Sequence, residues 1–232
     1  MKLEKASGKV AMKTCGIIYA PPGTGKTTCI PFLAKKGGKT LLIDIDQSSQ
    51  VLRSDEIKAA VPGIEPLLAD IDILQIGFDM SKWAEAVKWL EDGAYKDYQV
   101  IVVDNLSELE HQMLTEYGRI GKNDGAPEQL HYNRTQFKII DYVRRLRALD
   151  TNIIFTCWET QQEIIYQDGS KYTQAVPRLS GKSVDTVAGL CNVVARLKIG
   201  KESRYFGLEK TPTEYAKDQL RSRKYCAINE LI

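Results

Sequence analysis

Histidine is scarce in this chain, with only His111 and His131 among 232 residues, and neither has a partner at metal-ligand spacing. Both read as helix-surface residues. The five cysteines, Cys15, Cys29, Cys157, Cys191 and Cys226, show no paired spacing of the metal-ligand type, which removes a zinc-ribbon class of protein. Several of them sit inside apolar runs, where a free thiol behaves as a small hydrophobe, and a reducing cytoplasm is the expected compartment. No apolar run approaches the ~20 residues that a spanning helix needs, and the opening stretch MKLEKASGKVAMKT has no hydrophobic export core. Neither membrane insertion nor export is expected. A surplus of one charge is missing as well: 32 Lys and Arg against 30 Asp and Glu leave +2, so any nucleic-acid site must be a local patch. Repeats and low-complexity linkers are absent, and the length suits one α/β domain, expected to span residues 1–232.

Short β-rich runs alternate with helical patterns, the arrangement of a mostly parallel sheet flanked by helices. The runs are CGIIY (15–19), TLLIDI (40–45), IDILQIG (71–77), QVIVVD (99–104) and NIIFTC (152–157). Helices are expected over Lys26–Lys36, Lys82–Glu91 and Gln129–Leu149, and another after Asp104 with a capping box from Ser107 to Glu110. The loop GRIGKNDGAP (118–127) is long, polar and glycine-rich. Beyond the fifth run, EIIYQDGSKYTQAV reads as a hairpin with Asp168-Gly169 at its tip, followed by two further antiparallel strands, CNVVARLKI and RYFGLE. Basic residues gather at Arg134, Lys138, Arg144, Arg145 and Arg147, and again at Lys210, Lys217, Arg221, Arg223 and Lys224. Either cluster is also what a solvated face looks like.

The stretch that carries chemistry is APPGTGKTT (20–28), between the first strand and the first helix. A lysine at a helix N-terminus opposes the helix dipole unless an anion lies there too. Gly23 and Gly25 let successive N–H groups turn inward into a nest, and the helix N-terminus closes it. The pattern is that of a phosphate loop with Ala20 in place of the first glycine. Pro22, Gly23, Thr24, Gly25, Lys26, Thr27 and Thr28 would line the nucleotide, with Lys26 on the β- and γ-phosphates, Thr27 on Mg²⁺ and Thr28 at the α-phosphate. Asp104 ends an apolar strand where such loops emerge in open α/β sheets, which suits a metal-holding carboxylate. It could instead cap the next helix. Asn105 stands where many helicase-like ATPases carry a glutamate. Asp44 and Asp46 fall on one face of the second strand, and Asp46 either orients the attacking water or opens a turn.

The order of these motifs resembles the core of RecA-type recombinases. More closely, the chain resembles phage-encoded RecA-like ATPases of the AAA class, some of which are ATP-stimulated single-strand annealing proteins. The resemblance spans roughly residues 12–225 and is carried by APPGTGKTT, VIVVDN, YNRTQFKIIDYVRRLRAL and AKDQLRSR. It implies a RecA-like P-loop fold, ATP with Mg²⁺, and Asp46 as the catalytic carboxylate, although an aspartate is shorter than the glutamate usual there. It implies a polar γ-phosphate sensor after the fifth strand, for which Gln161 is the candidate. It also implies single-stranded DNA at the following segment, where Tyr166 and Tyr172 would stack on bases while Lys171 and Arg178 meet phosphates. Head-to-tail assembly into a ring or filament would follow, with Arg221 or Arg223 reaching the neighbour's γ-phosphate. A single-strand-binding protein is a further expected partner. Two rival readings are an AAA+ remodelling ATPase and a nucleotide-gated binding module with little hydrolysis.

Overall fold

Burial on both faces is what turns the apolar runs into parallel strands. The computed structural model describes residues 12–165 and 169–232. In chain order the strands are β1 (Cys15–Ala20), β2 (Thr40–Asp44), β3 (Ile71–Gln75), β4 (Val100–Asp104), β5 (Asn152–Ile165), β6 (Lys171–Pro177), β7 (Val193–Ile199), β8 (Arg204–Gly207), β9 (Lys217–Asp218) and β10 (Tyr225–Ala227). The helices are α1 (Lys26–Cys29), α2 (Asp55–Ala60), α3 (Met80–Glu91), α4 (Leu106–Arg119), α5 (Gln129–Arg147) and α6 (Ser183–Leu190). The sheet runs β10-β8-β7-β1-β5-β4-β2-β3, and its members from β7 to β3 are parallel. The strands β8 and β10 add antiparallel to one side. This is the expected fold class, a RecA-like P-loop architecture with C-terminal antiparallel strands.

Successive residues along a strand face opposite sides, so each strand feeds two cores. Ile17, Tyr19, Ile43, Val103 and Phe155 pack with Trp83, Leu109, Val143 and Leu146 on the helical side built by α3, α4 and α5. Ile18, Leu42, Val102, Ile154 and Ala195 pack on the other side with Ile30, Leu33, Phe206 and Leu231.

Local chemistry altered four expectations. The helix after the loop is a single turn, because Pro31 offers no N–H and the chain tightens into a 3-10 turn over Ile30–Phe32. Strand β7 is not antiparallel to its sheet neighbour β1 but parallel to it; only its pairings with β8 and β9 are antiparallel. The Ser107–Glu110 box does not form. Asn105 caps α4 instead, its side chain accepting the Glu108 N–H at 2.7 Å. Finally, His131 is buried rather than on the surface; its Nδ1 accepts the Glu128 N–H at 3.0 Å at the start of α5.

Tyr19 shows how the loop strand is fastened. Its side chain is fully buried, and its hydroxyl lies 3.1 Å from the Ala175 carbonyl on β6 and 2.9 Å from that of Tyr215. One short polar atom thus joins β1, the β5–β6 hairpin and the C-terminal segment. Tyr19→Phe should cost about 1–3 kcal/mol, because a buried acceptor loses its donor while the ring still fills its space. Urea unfolding should show a lower midpoint with an unchanged slope.

Candidate nucleotide site

Parallel strands end on one edge of a sheet, and this register brings three ends together. Asp104 of β4 sits opposite Asp44 of β2, and Val103 opposite Phe155 of β5, so the next residue of β5, Thr156, lies beside Asp104. Strand β5 in turn pairs Trp158 with Ala20, the last residue before the glycine loop. In that loop Gly23 and Gly25 have φ of 76° and 100°, backbone that side-chain-bearing residues rarely adopt. Thr24 folds back, its hydroxyl donating to the Pro21 carbonyl at 2.9 Å. Lys26 Nζ donates to the carbonyls of Ala20 and Pro21 at 3.0 and 3.2 Å. The ammonium therefore stands at the mouth of the nest, where a phosphate would offer it a charged acceptor in place of neutral ones.

Hydroxyl groups surround the Asp104 carboxylate. Thr27 Oγ1 donates to Oδ2 at 2.8 Å and Ser48 Oγ to the same oxygen at 3.0 Å, while Thr156 Oγ1 donates to Oδ1. Burial pushes the Asp104 carboxyl above its ordinary range, against the pull of those bonds. Burial also lowers the Lys26 pKa, opposed by Asp104, Asp46 and Glu159. Asp46 accepts the Ser48 N–H at 3.0 Å and the Asn105 side-chain amide at 2.5 Å. Asp44, by contrast, is buried at the strand end, bonded by Ser49 and raised in pKa by its burial.

A cavity of about 400 Å³ opens over this group, and its wall includes Gly23, Gly25, Lys26, Thr27, Asp46, Ser48, Asp104, Trp158 and Arg204. Clefts of about 570 and 770 Å³ lie along β3 and beside Lys35–Gly38, but neither has a phosphate-binding loop. Among the described residues no cluster of three His, Cys, Asp or Glu could cage a metal. The Thr27, Ser48 and Asp104 oxygens fit Mg²⁺ nonetheless, because that ion needs only one or two carboxylates and completes its shell with other oxygens, water and substrate phosphates.

Several expected residues are elsewhere. Gln161 pairs with Ala175 in the outer part of β5, is exposed, and does not line the cavity. The expected sensor position ran onward into the hairpin because β5 does not stop at Cys157. Arg221 and Arg223 are engaged within their own chain: Arg223 Nε pairs with Asp218 at 2.6 Å, and both guanidinium groups donate to the Glu230 carbonyl. Arg178 is separated from Lys171 and Tyr172 by the length of β6 and lies over the Trp158 ring at 5.5 Å. Tyr166 lies outside the described residues. Conversely, Ser48, Thr156 and Arg204 were not anticipated. Thr156 had a signal, a hydroxyl inside the apolar run NIIFTC; Arg204 had none.

Fold and site together define a P-loop nucleoside triphosphatase. The chain belongs to the AAA domain family, whose model matches residues 12–220. Among solved structures it is similar to a prototypical ATPase from the type III secretion system of pathogenic bacteria, with 14% sequence identity and a TM-score of 0.51. That similarity covers 80% of this chain and 51% of the other, so the present chain spans about half the length of its structural relative. No curated protein matches the sequence. Among the described residues no helix is long and apolar enough to cross a membrane.

The raised Asp104 pKa has a stability consequence with a definite sign. The folded state holds a proton that the unfolded chain releases at lower pH. The favourable contribution is therefore complete below the ordinary carboxylate range and is lost as pH rises to the raised value. In metal-free buffer at neutral pH, Asp104→Asn should then raise the melting temperature, while weakening Mg²⁺-dependent nucleotide binding. Thermal melts with chelator, and nucleotide titrations with and without Mg²⁺, check both halves.

Proposed function

We propose that this ATPase binds single-stranded DNA through the β5–β6 hairpin and uses the nucleotide cycle to support strand annealing or recombination, working as a homo-oligomer. The observation that carries the reading is the hairpin itself. Its outer part exposes Gln161, Gln162, Glu163, Ile165, Lys171, Tyr172 and Thr173, while at its root Trp158 walls the nucleotide cavity. A hairpin whose outer part is exposed while the inner half of β6 is buried, and whose root walls the nucleotide site, suits a ligand-binding arm whose position depends on nucleotide. Lys171 pairs with Glu163 at 3.2 Å, but an exposed pair of this kind is weak, and a phosphate can compete for the cation. Tyr172, 42% exposed, offers a face on which a base can stack.

In the hydrolytic step the chain's own groups divide the work. Lys26 and the loop N–H groups hold the phosphates. Thr27, Ser48 and Asp104 would hold Mg²⁺, which would supply charge neutralisation at the phosphates. Asp46 orients water, and the 2.5 Å bond from Asn105 fixes its carboxylate. Asp46→Asn should accordingly keep ATP affinity within about twofold and lose most of kcat, as expected of a group that acts only in the transition state. Equal loss of affinity and turnover would remove Asp46 from that role.

For the DNA reading, Lys171→Ala combined with Tyr172→Ala should weaken oligonucleotide binding by about 2–3 kcal/mol, one base stack and one phosphate contact. ATP affinity should hardly change. Fluorescence anisotropy of a labelled single strand measures this, with affinity falling steeply as salt rises. Undetectable binding by the ATP-loaded protein at low salt would leave a nucleotide-gated module without a DNA partner.

A further inference from the structure

The phosphate loop has a second cationic group that its own sequence does not contain. Arg204 opens β8, and its Nε donates to the Thr24 backbone carbonyl at 2.7 Å. The guanidinium lies so close over Gly25 that a Cβ built there would stand 2.8 Å from Arg204 Nε and 3.1 Å from its Cζ. The same Cβ would stand 2.9 Å from Thr28 Oγ1, so the arginine and the Thr28 hydroxyl share one side of the loop. The sheet order fixes which side this is. Strand β4, with Asp104, is two positions from β1 in one direction, and β8 is two positions away in the other. The acidic, metal-holding end of the cavity and the Arg204 end thus flank the glycine loop from opposite directions. Both line the same cavity.

An arginine has five N–H donors, and the bond to Thr24 uses only the one on Nε. Its charge at the loop's Thr28 side would meet the part of a nucleotide that precedes the γ-phosphate. We propose that Arg204 is a cis-acting nucleotide-binding residue at the α-phosphate end of the site, where it fixes the Thr24–Gly25 peptide and pairs with phosphate oxygens common to ADP and ATP. This rests on the assignment of the glycine loop to ATP. It differs from an arginine that recognises the γ-phosphate from a neighbouring subunit. A side chain at position 25 would have to displace this guanidinium, in addition to the strain imposed by the φ of 100°.

Titration calorimetry of the full chain with Mg-ADP and with a slowly hydrolysed ATP analogue tests it. Arg204→Gln should weaken both ligands by about the same factor, on the order of ten- to a hundredfold for a lost charge-assisted bond. Arg204→Lys should recover part of that loss, and the advantage of Lys over Gln should shrink as salt rises. Unchanged ADP affinity in Arg204→Gln, or a loss confined to the triphosphate, would overturn the proposal. Equal binding by the Lys and Gln variants at low salt would do the same, since it would leave Arg204 only the shaping of the loop. Failure of the unaltered chain to bind either nucleotide would instead remove the ATP assignment on which the proposal rests. Circular dichroism of each variant separates lost binding from lost folding.

Discussion

The buried carboxylate of Asp104 is the constraint around which the site is organised. A charge out of reach of water is costly unless donors surround it, and here the donors come from three separate segments: Thr27 of the loop, Ser48 after β2 and Thr156 of β5. None of these hydroxyls is near Asp104 in sequence. They meet because β5 lies between the loop strand and the Asp104 strand, so one threonine on it can serve the carboxylate while the strand's next residues form the cavity wall. Bonds that ease the cost of folding around the charge also hold its oxygens where a cation can take their place.

Polar residues at the head of α4 extend this arrangement to the hairpin. Asn105 caps the helix and steadies Asp46 at the same time, through the two ends of one amide. Ser107 donates to the Arg178 carbonyl at 2.8 Å and accepts the Trp158 N–H at 3.0 Å, clasping both strands of the hairpin at its root. Glu110, buried and raised in pKa by that burial, accepts the Ser180 N–H and hydroxyl at 2.8 and 2.9 Å. Trp158 is held between the His111 ring and the Arg178 guanidinium, each 5.5 Å away. The Asp104 strand and the exposed hairpin are therefore both tied to the head of α4.

The C-terminal strands give the other flank. Arg196 of β7 forms two 2.8 Å bonds to Glu159 and one of 2.7 Å to Glu214, which also takes Lys198 at 2.6 Å. These partly buried ion pairs link β7 to Glu159 of β5 and to Glu214, and β8 pairs with β7 on its other side. Pairing of this kind adds little net stability; Arg204 itself is placed by the β7–β8 ladder, opposite Ile199.

The sequence by itself determined the elements whose physics is local. Gly23 and Gly25 before Lys26-Thr27 have the pattern of a phosphate loop, and the apolar run ending at Asp104 has the composition of a buried strand. Only the tertiary structure decided which distant polar groups serve that edge. Gln161, Arg221 and Arg223 had suitable chemistry, but the continuation of β5 carried the first away from the cavity and internal partners engaged the other two. Thr156, Ser48 and Arg204 had ordinary chemistry and were brought to the loop by strand order. Side-chain type and spacing fix what a residue can do within a turn or two of its own backbone, whereas the burial of both sheet faces fixes strand order, and strand order chooses its neighbours.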